Sequence, residues 1–412
     1  MRRPHDINPS VANAATRVVF LCIGLLWLFL PTSASGEWPR WRGPHGNGIV
    51  TDTNWNPAVF AEEPKILWRA SVGVGYSSVA VSNGLAYTLG NSRGKDTVFC
   101  LDAQTGEVIW AYSYACGSSQ YPGPRATPTV DGDRVYTLSL EGHLHAFDAD
   151  TGEVIWFRHL IDDYRIRPPQ WSFACSPVIH ENSLILNAGA AGFALDKNSG
   201  EKLWDSGRGP GGYSTPVFYE HGDITAAAIL SNQRISGVEI GSGDVIWSHP
   251  WRGMPDINGS DPVVYEQRVF VASGYGKGSS LIDFSGRERT IWESRYFQTH
   301  FSSFVLIDGY IYGNDGDARR VSSGVYRCID FDTGVEMWSA DLGFGSLIAV
   351  GEYLILLNSV GVITIVEASP EGFHQLSRAA MPRNQYWTPP AYSEQKLFVR
   401  NLRGDVFCVD LR

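Results

Sequence analysis

LDAQTGEVIW, residues 101–110, decides the fold of this 412-residue chain, because related segments recur along it. The copies share an acidic residue, a turn glycine and a closing tryptophan, and they read FDADTGEVIW (147–156), LDKNSGEKLW (195–204), VEIGSGDVIW (238–247), IDFDTGVEMW (329–338) and, with an insertion, IDFSGRERTIW (282–292). From Trp68 to Trp338 the repeated tryptophans are 42–48 residues apart. Self-similarity at such a period predicts an array of equivalent supersecondary units.

Each shared residue of the repeat has a structural role. The acid accepts hydrogen bonds from N–H groups of the turn, the glycine supplies a positive φ, and the tryptophan buries a large ring against the neighbouring unit. We assign these roles to Trp68, Asp102, Gly106, Trp110, Asp148, Gly152, Trp156, Asp196, Gly200, Trp204, Gly243, Trp247, Trp292, Asp330, Gly334 and Trp338.

The number of units follows from the starts of their first strands. Each unit reads as four short strands, and the predicted starts are Ser77, Thr127, Ser176, Thr215, Asp261, Ser302, Ser346 and Thr388. The last unit ends at Arg412 without its own tryptophan, whereas residues 66–70 hold Trp68 in a strand without a unit. We therefore predict an all-β, eight-bladed β-propeller closed by pairing of these N- and C-terminal segments. Seven blades is the alternative, because the last two units are degenerate.

The N-terminus has the pattern of a targeting segment. Arginines 2, 3 and 17 precede a 13-residue apolar run at 18–30, which is short for a membrane span, and small residues follow. We predict a signal peptide at 1–36, an extended segment at 37–65 and the propeller at 66–412, with an uncleaved membrane anchor as the alternative. The protein is then exported to the periplasm or cell envelope, or secreted.

Charge and cysteine content restrict the function. The formal net charge is −10, and about −12 without residues 1–36, so a nucleic-acid partner is not expected. Cys100, Cys328 and Cys408 occupy equivalent positions of the repeat and are predicted to be buried packing residues. Cys116 and Cys175 lie in loops on one face, and whether they pair remains open.

Three connections between blades are longer than the fold requires. They follow Trp110, Trp156 and Trp247, and aromatic residues with arginines are typical of binding surfaces. The candidate partner-binding residues there are Tyr121, Arg125, Tyr164, Arg165, Arg167, Trp171, Trp251 and Arg252. The alternative is that the aromatic rings cover blade edges and the arginines are solvated.

Residues just before each first strand are expected to surround the mouth of the central channel. The candidate ligand-binding residues there are Tyr76, Tyr213, Asn258, His300, Tyr386 and Trp387. Asp256, Asn258 and Asp261 are weak candidates for metal ligands, and no metal is expected. His143 and His145 are predicted to face opposite sides of a strand and hence not to share a metal. No GxSxG, HExxH or Walker pattern is present.

The repeats resemble the PQQ-type propeller repeat, A-x-D-x-x-T-G-x-x-x-W. The segment WPRWRGPHGNG at 38–48 also resembles the opening of exported bacterial PQQ-binding-like propellers. This quinoprotein-alcohol-dehydrogenase-like superfamily contains quinone-dependent dehydrogenases as well as scaffolds of the BamB type, which assist outer-membrane protein assembly. The resemblance implies the fold, while activity must be argued from a site.

Among the functions in this superfamily, the sequence favours a monomeric, non-catalytic scaffold that binds an envelope protein, with no cofactor. The first alternative is a dehydrogenase dependent on PQQ and calcium. The family's enzymes are longer and typically carry a vicinal disulfide, whereas this chain has no adjacent cysteine pair. The second alternative is a propeller that binds a small molecule or glycan at its aromatic mouth.

Overall fold

The computed structural model describes residues 37–60, 63–117, 119–253, 257–320 and 322–412. The predicted signal peptide at 1–36 and the metal candidate Asp256 lie outside these residues. In the described part of the chain, no helix has the length and apolar character that a membrane crossing requires.

The described strands form eight sheets, one for each predicted blade. Blade 1 contains β3 (Ala80–Ser82), β4 (Leu85–Ser92), β5 (Lys95–Asp102) and β6 (Val108–Ala115), and blade 2 contains β7 (Thr129–Asp131), β8 (Arg134–Leu138), β9 (His143–Asp148) and β10 (Val154–His159). Blade 3 contains β11 (Val178–His180), β12 (Ser183–Leu186), β13 (Phe193–Asp196) and β14 (Lys202–Asp205), and blade 4 contains β15 (Val217–His221), β16 (Ile224–Leu230), β17 (Arg234–Glu239) and β18 (Val245–Pro250). Blade 5 contains β19 (Val263–Tyr265), β20 (Arg268–Ser273), β21 (Gly278–Asp283) and β22 (Arg289–Ser294), and blade 6 contains β23 (Val305–Ile307), β24 (Tyr310–Asp315), β25 (Val325–Asp330) and β26 (Glu336–Asp341). Blade 7 contains β27 (Gly345–Val350), β28 (Tyr353–Asn358), β29 (Val362–Glu367) and β30 (Gln375–Ala380), joined by β1 (Ile49–Val50), and blade 8 contains β31 (Ala391–Ser393), β32 (Lys396–Arg400), β33 (Asp405–Asp410) and β2 (Ile66–Ser71).

The two ends of the propeller domain meet in blade 8. Strand β2 pairs antiparallel with β33, from Ile66 opposite Val409 to Ser71 opposite Asp405. The Arg69 guanidinium lies 2.8 Å from the Asp405 carboxylate at one end of this pairing. The eight-bladed fold and its closure by the N-terminal strand are thus confirmed, and the seven-bladed alternative is wrong.

The repeated tryptophans join neighbouring blades as predicted. The indole Nε1 of Trp110 donates to the carbonyl of Ala149 at 2.8 Å, and Trp204 donates to Ile240 at 2.7 Å in the same way. Trp247 is the exception, because its Nε1 donates to the Tyr219 hydroxyl at 2.6 Å instead. Each bond gives the buried indole N–H a hydrogen-bond partner, which it would otherwise lack.

Most innermost strands begin two or three residues later than predicted. The residues before them form hydrogen bonds from one blade to the next, such as the Thr127 N–H to the Ser176 hydroxyl at 2.9 Å. The Ser176 N–H donates to the Thr215 hydroxyl at 3.1 Å, and the Thr215 N–H to the Asp261 carboxylate at 2.7 Å. These bonds form an inner belt, because they tie neighbouring blades together beside the channel.

The N-terminal segment crosses the innermost strands of the propeller. The backbone of Trp38 pairs with Val81 of blade 1, and the Arg42 guanidinium donates to the carbonyl of Phe304 beside blade 6. Strand β1 then adds to the inner edge of blade 7, parallel to β27. Because inner strands surround the central channel of a propeller, this segment occupies the channel.

The long connection after β10 holds a feature that the sequence analysis did not predict, the short helix α1 (Leu160–Tyr164). All five described cysteines are buried and unpaired. Cys100, Cys328 and Cys408 are therefore buried as predicted, and Cys116 and Cys175 form no disulfide.

Candidate functional site

A cavity of about 240 Å³ opens at the mouth of the channel. It lies on the face where the connections between blades emerge, and the segment that fills the channel contributes Trp41 to its lining. The structure brings eight of the predicted residues together there: Tyr76, Tyr121, Arg125, Trp171, Tyr213, Asp261, His300 and Trp387. The cavity is therefore an aromatic cup rather than an open pore.

The aromatic walls are held by ring contacts between different blades. Tyr76 stacks on Trp387 with ring centroids 6.0 Å apart, and Tyr121 meets Trp171 edge to face at 5.8 Å. Across the cup, Tyr275 stacks on His300 at 4.3 Å. Such contacts orient the rings before any ligand arrives, which lowers the entropic cost of binding.

Besides Nε2 of His300, three nitrogen donors in this lining have no hydrogen-bond partner among the described residues. They are Nε1 of Trp171, Nε1 of Trp387 and Nη1 of Arg125, all buried. Buried polar atoms without a partner are rare and call for an explanation. Because all three only donate, the cavity is suited to a group rich in acceptors, such as a carboxylate or a peptide carbonyl.

Neither the His300 imidazole nor the Asp261 carboxylate offers the cavity a free charge. Burial lowers the pKa of His300, which disfavours its charged form. The Asp261 carboxylate accepts from Trp41 Nε1 at 2.7 Å and from the Ser303 hydroxyl at 3.1 Å, besides its bond in the inner belt. The Asp261 carboxylate lines the cavity, but three hydrogen bonds to the protein hold it in place.

The calcium expected in a quinone-dependent enzyme does not fit these residues. Asp261 is engaged as described, and the Arg42 guanidinium lies 3.7 Å away as its counter-ion. The Asn258 side chain is fully buried, donates to the Ser231 carbonyl at 2.7 Å and accepts from the Ser273 hydroxyl at 2.6 Å. Hydrogen bonds to other parts of the protein thus hold both side chains, which disfavours their use as calcium ligands.

The structure also corrects two aromatic candidates. Tyr386 is 1% exposed and packs against Gly361, with its hydroxyl donating to the Pro382 carbonyl at 2.7 Å, so it lies in the core and not at the channel mouth. Trp251 is 2% exposed, and its indole donates to the Ser273 hydroxyl at 2.8 Å. It therefore offers no ring to a partner.

The remaining loop candidates lie outside the cavity. The Tyr164 hydroxyl donates to the Gly200 carbonyl at 2.5 Å and its ring packs on Phe193, so it covers a blade edge as the alternative proposed. Arg165, which ends α1, is exposed, as are Arg167 and Arg252. These three arginines remain predicted partner contacts.

Four aromatic or charged residues of the lining were not predicted: Trp41, Tyr275, Phe301 and Arg319. Tyr275 and Arg319 lie in hairpin loops between second and third strands, which open on the same face as the connections between blades. The loop that holds Arg319, between β24 and β25, spans nine residues and is the longest such loop in the propeller. Its length was the signal that could have identified it.

Comparison with known proteins finds two groups of relatives. The chain is 24% identical to the outer membrane protein assembly factor BamB of Yersinia pestis over 84% of this chain and 88% of that protein. It is 28% identical to the quinohemoprotein alcohol dehydrogenase ADH IIB of Pseudomonas putida over 40% of this chain. The match spans only 24% of that dehydrogenase's length.

Solved structures share the fold with both groups. A quinohemoprotein alcohol dehydrogenase from Comamonas testosteroni superposes with a TM-score of 0.70 at 12% identity, over 91% of this chain and 80% of that one. BamB from Moraxella catarrhalis superposes with a TM-score of 0.59 at 18% identity, over 84% and 98%. Such similarity establishes the propeller and leaves the activity to be argued from the site.

A family model settles the membership. The model described as outer membrane protein assembly factor BamB matches residues 58–160 and 115–340, which together cover more than half of the chain. The chain therefore belongs to this family of PQQ-type β-propeller proteins.

Proposed function

We propose that this protein is a non-catalytic scaffold of the cell envelope that binds a segment of a partner protein in the aromatic cavity. The observation that carries the proposal is the extent of the match to BamB, which covers nearly nine-tenths of that assembly factor. The match to the dehydrogenase stops at about a quarter of its length. Hydrogen bonds to the protein also hold the side-chain oxygens of Asn258 and Asp261, which makes them less available to calcium and independently favours the scaffold.

The shape and chemistry of the cavity support a peptide as the occupant. Its volume of about 240 Å³ is below the roughly 300–1,000 Å³ of typical small-molecule pockets and accommodates one or two side chains. Aromatic walls bind an apolar side chain, while the free donors of Arg125, Trp171 and Trp387 bind backbone carbonyls or a carboxylate. The exposed Arg165 and Arg167 on the neighbouring loop favour an acidic flank of that peptide.

Arg125→Glu and Trp387→Ala are each expected to reduce partner recovery from envelope extracts at least tenfold. The first places a carboxylate where acceptors bind, and the second removes one wall of the cup, as expected for truncating a binding hot spot. Recovery is measured by quantitative mass spectrometry of proteins captured on the immobilised variants.

Arg287→Glu is the matched control, because Arg287 is exposed in a turn between third and fourth strands. Those turns lie on the opposite face of an antiparallel blade, so capture there should not change. Equal recovery by wild type and both cavity variants would contradict the proposal. A change in quinone absorbance with dye-linked alcohol oxidation, after addition of PQQ and Ca²⁺, would also contradict it. So would binding that is detected on a glycan array but not with any envelope protein.

A further inference from the structure

A second cluster of reactive side chains lies outside the aromatic cavity. Cys116 follows the last strand of blade 1, while Glu141 and His143 belong to the hairpin between β8 and β9 of blade 2. One ligand atom from each of the three lies within 4.8 Å of the others. The function proposed above uses none of them.

The two histidines of β9, His143 and His145, are arranged differently from the prediction. His143 and His145 were predicted to face opposite sides of β9, but residues two apart on a strand share a face. Both rings indeed contact Tyr114, with centroid distances of 5.3 and 4.7 Å. The prediction was wrong, and its error concealed the polar face on which this cluster lies.

Two buried oxygens beside the cluster lack a hydrogen-bond partner among the described residues. They are Oδ2 of Asp96, which is 0% exposed, and the hydroxyl of Tyr114. The Asp96 carboxyl lies beside the Cys116 thiol, and burial together with this carboxyl raises the pKa of the thiol. Leaving a buried acceptor unsatisfied is unfavourable, so a missing partner is the physical explanation to test.

We infer that Cys116, Glu141 and His143 form a binding site for Zn²⁺ and leave its fourth position open. Thiolate, imidazole and carboxylate are the groups from which tetrahedral zinc sites are built. Zinc bonds of about 2.0–2.3 Å place tetrahedral ligand atoms roughly 3.3–3.7 Å apart. The three atoms must therefore converge by about 1 Å, and the half-buried Glu141 has the freedom to do so.

The surroundings orient and balance such a site. The Ser139 hydroxyl lies 3.0 Å from Nδ1 of His143, and a hydrogen bond of this kind orients the ring of a metal-binding histidine. Arg125 and the buried Arg400 interact electrostatically with Asp96, while Asp96 and Glu141 raise the pKa of Cys116 through their negative charge. A divalent cation would offset the negative charge of Asp96 and Glu141 and displace the thiol proton. The inference is independent of the partner proposed for the cavity.

Titration of the tag-free protein with Co²⁺, a spectroscopic substitute for zinc, tests the site. The wild type should develop a near-ultraviolet thiolate-to-cobalt charge-transfer band that saturates at one equivalent and is abolished by Zn²⁺. Cys116→Ser should lose the band. Cys175→Ser is the matched control and should keep it, because Cys175 is equally buried one blade further on.

Glu141→Gln provides a second test that does not alter a buried residue. It should retain the band but weaken Co²⁺ binding at least tenfold, while near-ultraviolet circular dichroism verifies folding of every variant. Absence of the band in the wild type, or its persistence in Cys116→Ser, would overturn the zinc site. Unchanged affinity in Glu141→Gln would likewise remove Glu141 from it.

Discussion

Gly152→Ala is expected to lower the free energy of unfolding by about 2–5 kcal/mol, the sum of a left-handed backbone penalty and overpacking. Gly152 has a φ of +74°, and a Cβ there would lie 2.6 Å from the Trp110 ring. The Trp110 ring cannot move away from the added Cβ without breaking the hydrogen bond from its Nε1 to the Ala149 carbonyl. The repeat glycine is therefore required for space as well as for conformation.

Gly132→Ala separates these two causes. Gly132 also has a positive φ, +60°, but a Cβ there meets nothing within 4 Å. It should cost only the backbone penalty, about 1–2 kcal/mol. Urea unfolding followed by tryptophan fluorescence measures both variants, and equal midpoints would show that contact with the tryptophan does not matter.

Trp68→Ala is expected to cost about 3–5 kcal/mol, as for other large-to-small changes at buried tryptophans. Trp68 is 8% exposed, donates from Nε1 to the Ala103 carbonyl at 3.1 Å and packs against Phe398. It lies on β2, the strand that closes the ring, so its loss weakens the joint between the two ends of the domain. The exposed edge of β33 should then promote self-association.

Ile66→Ala in the same strand is the control for this variant. Ile66 is 38% exposed, so its truncation should cost less than about 1 kcal/mol. Denaturant unfolding gives the stability difference, and size-exclusion chromatography reports the self-association. If the two variants were equally stable and monomeric, blade closure would not depend on this tryptophan.

The fold was predictable because its determinants are local and repeated. The turn acid, the glycine and the tryptophan recur within ten residues, and the unpaired strand at 66–70 predicted its own partner at the C-terminus. The inner belt, which occupies the residues where the first strands were expected to begin, was not predictable. Its hydrogen bonds join residues far apart in the sequence, such as Thr127 and Ser176, which are 49 residues apart.

The site was only partly predictable, because position along the chain does not determine where a side chain points. Tyr386 and Trp387 are adjacent, yet one packs in the core and the other lines the cavity. Trp41 reaches Asp261 across 220 residues, a contact that no local pattern indicates. The long connections do contribute Tyr121, Arg125 and Trp171 to the cavity, while their role in binding a partner stays a prediction.

Several parts of the protein engage the Asp261 carboxylate. In this chain the carboxylate belongs to the inner belt and pairs with Trp41 and Arg42 of the segment that fills the channel. The channel is thus closed by protein, and what remains is a shallow aromatic cup. Such a cup suits the capture of a peptide better than the sequestration of a cofactor.

Site-specific photo-crosslinking in the envelope tests the central claim, that the cup binds a protein segment. A photoreactive amino acid is placed at Tyr121, 39% exposed at the rim, or at Val335, 58% exposed on the opposite face. The account predicts a discrete protein adduct at position 121 that Trp387→Ala removes, and none at position 335. No adduct at 121, or the same adduct at both positions, would contradict it.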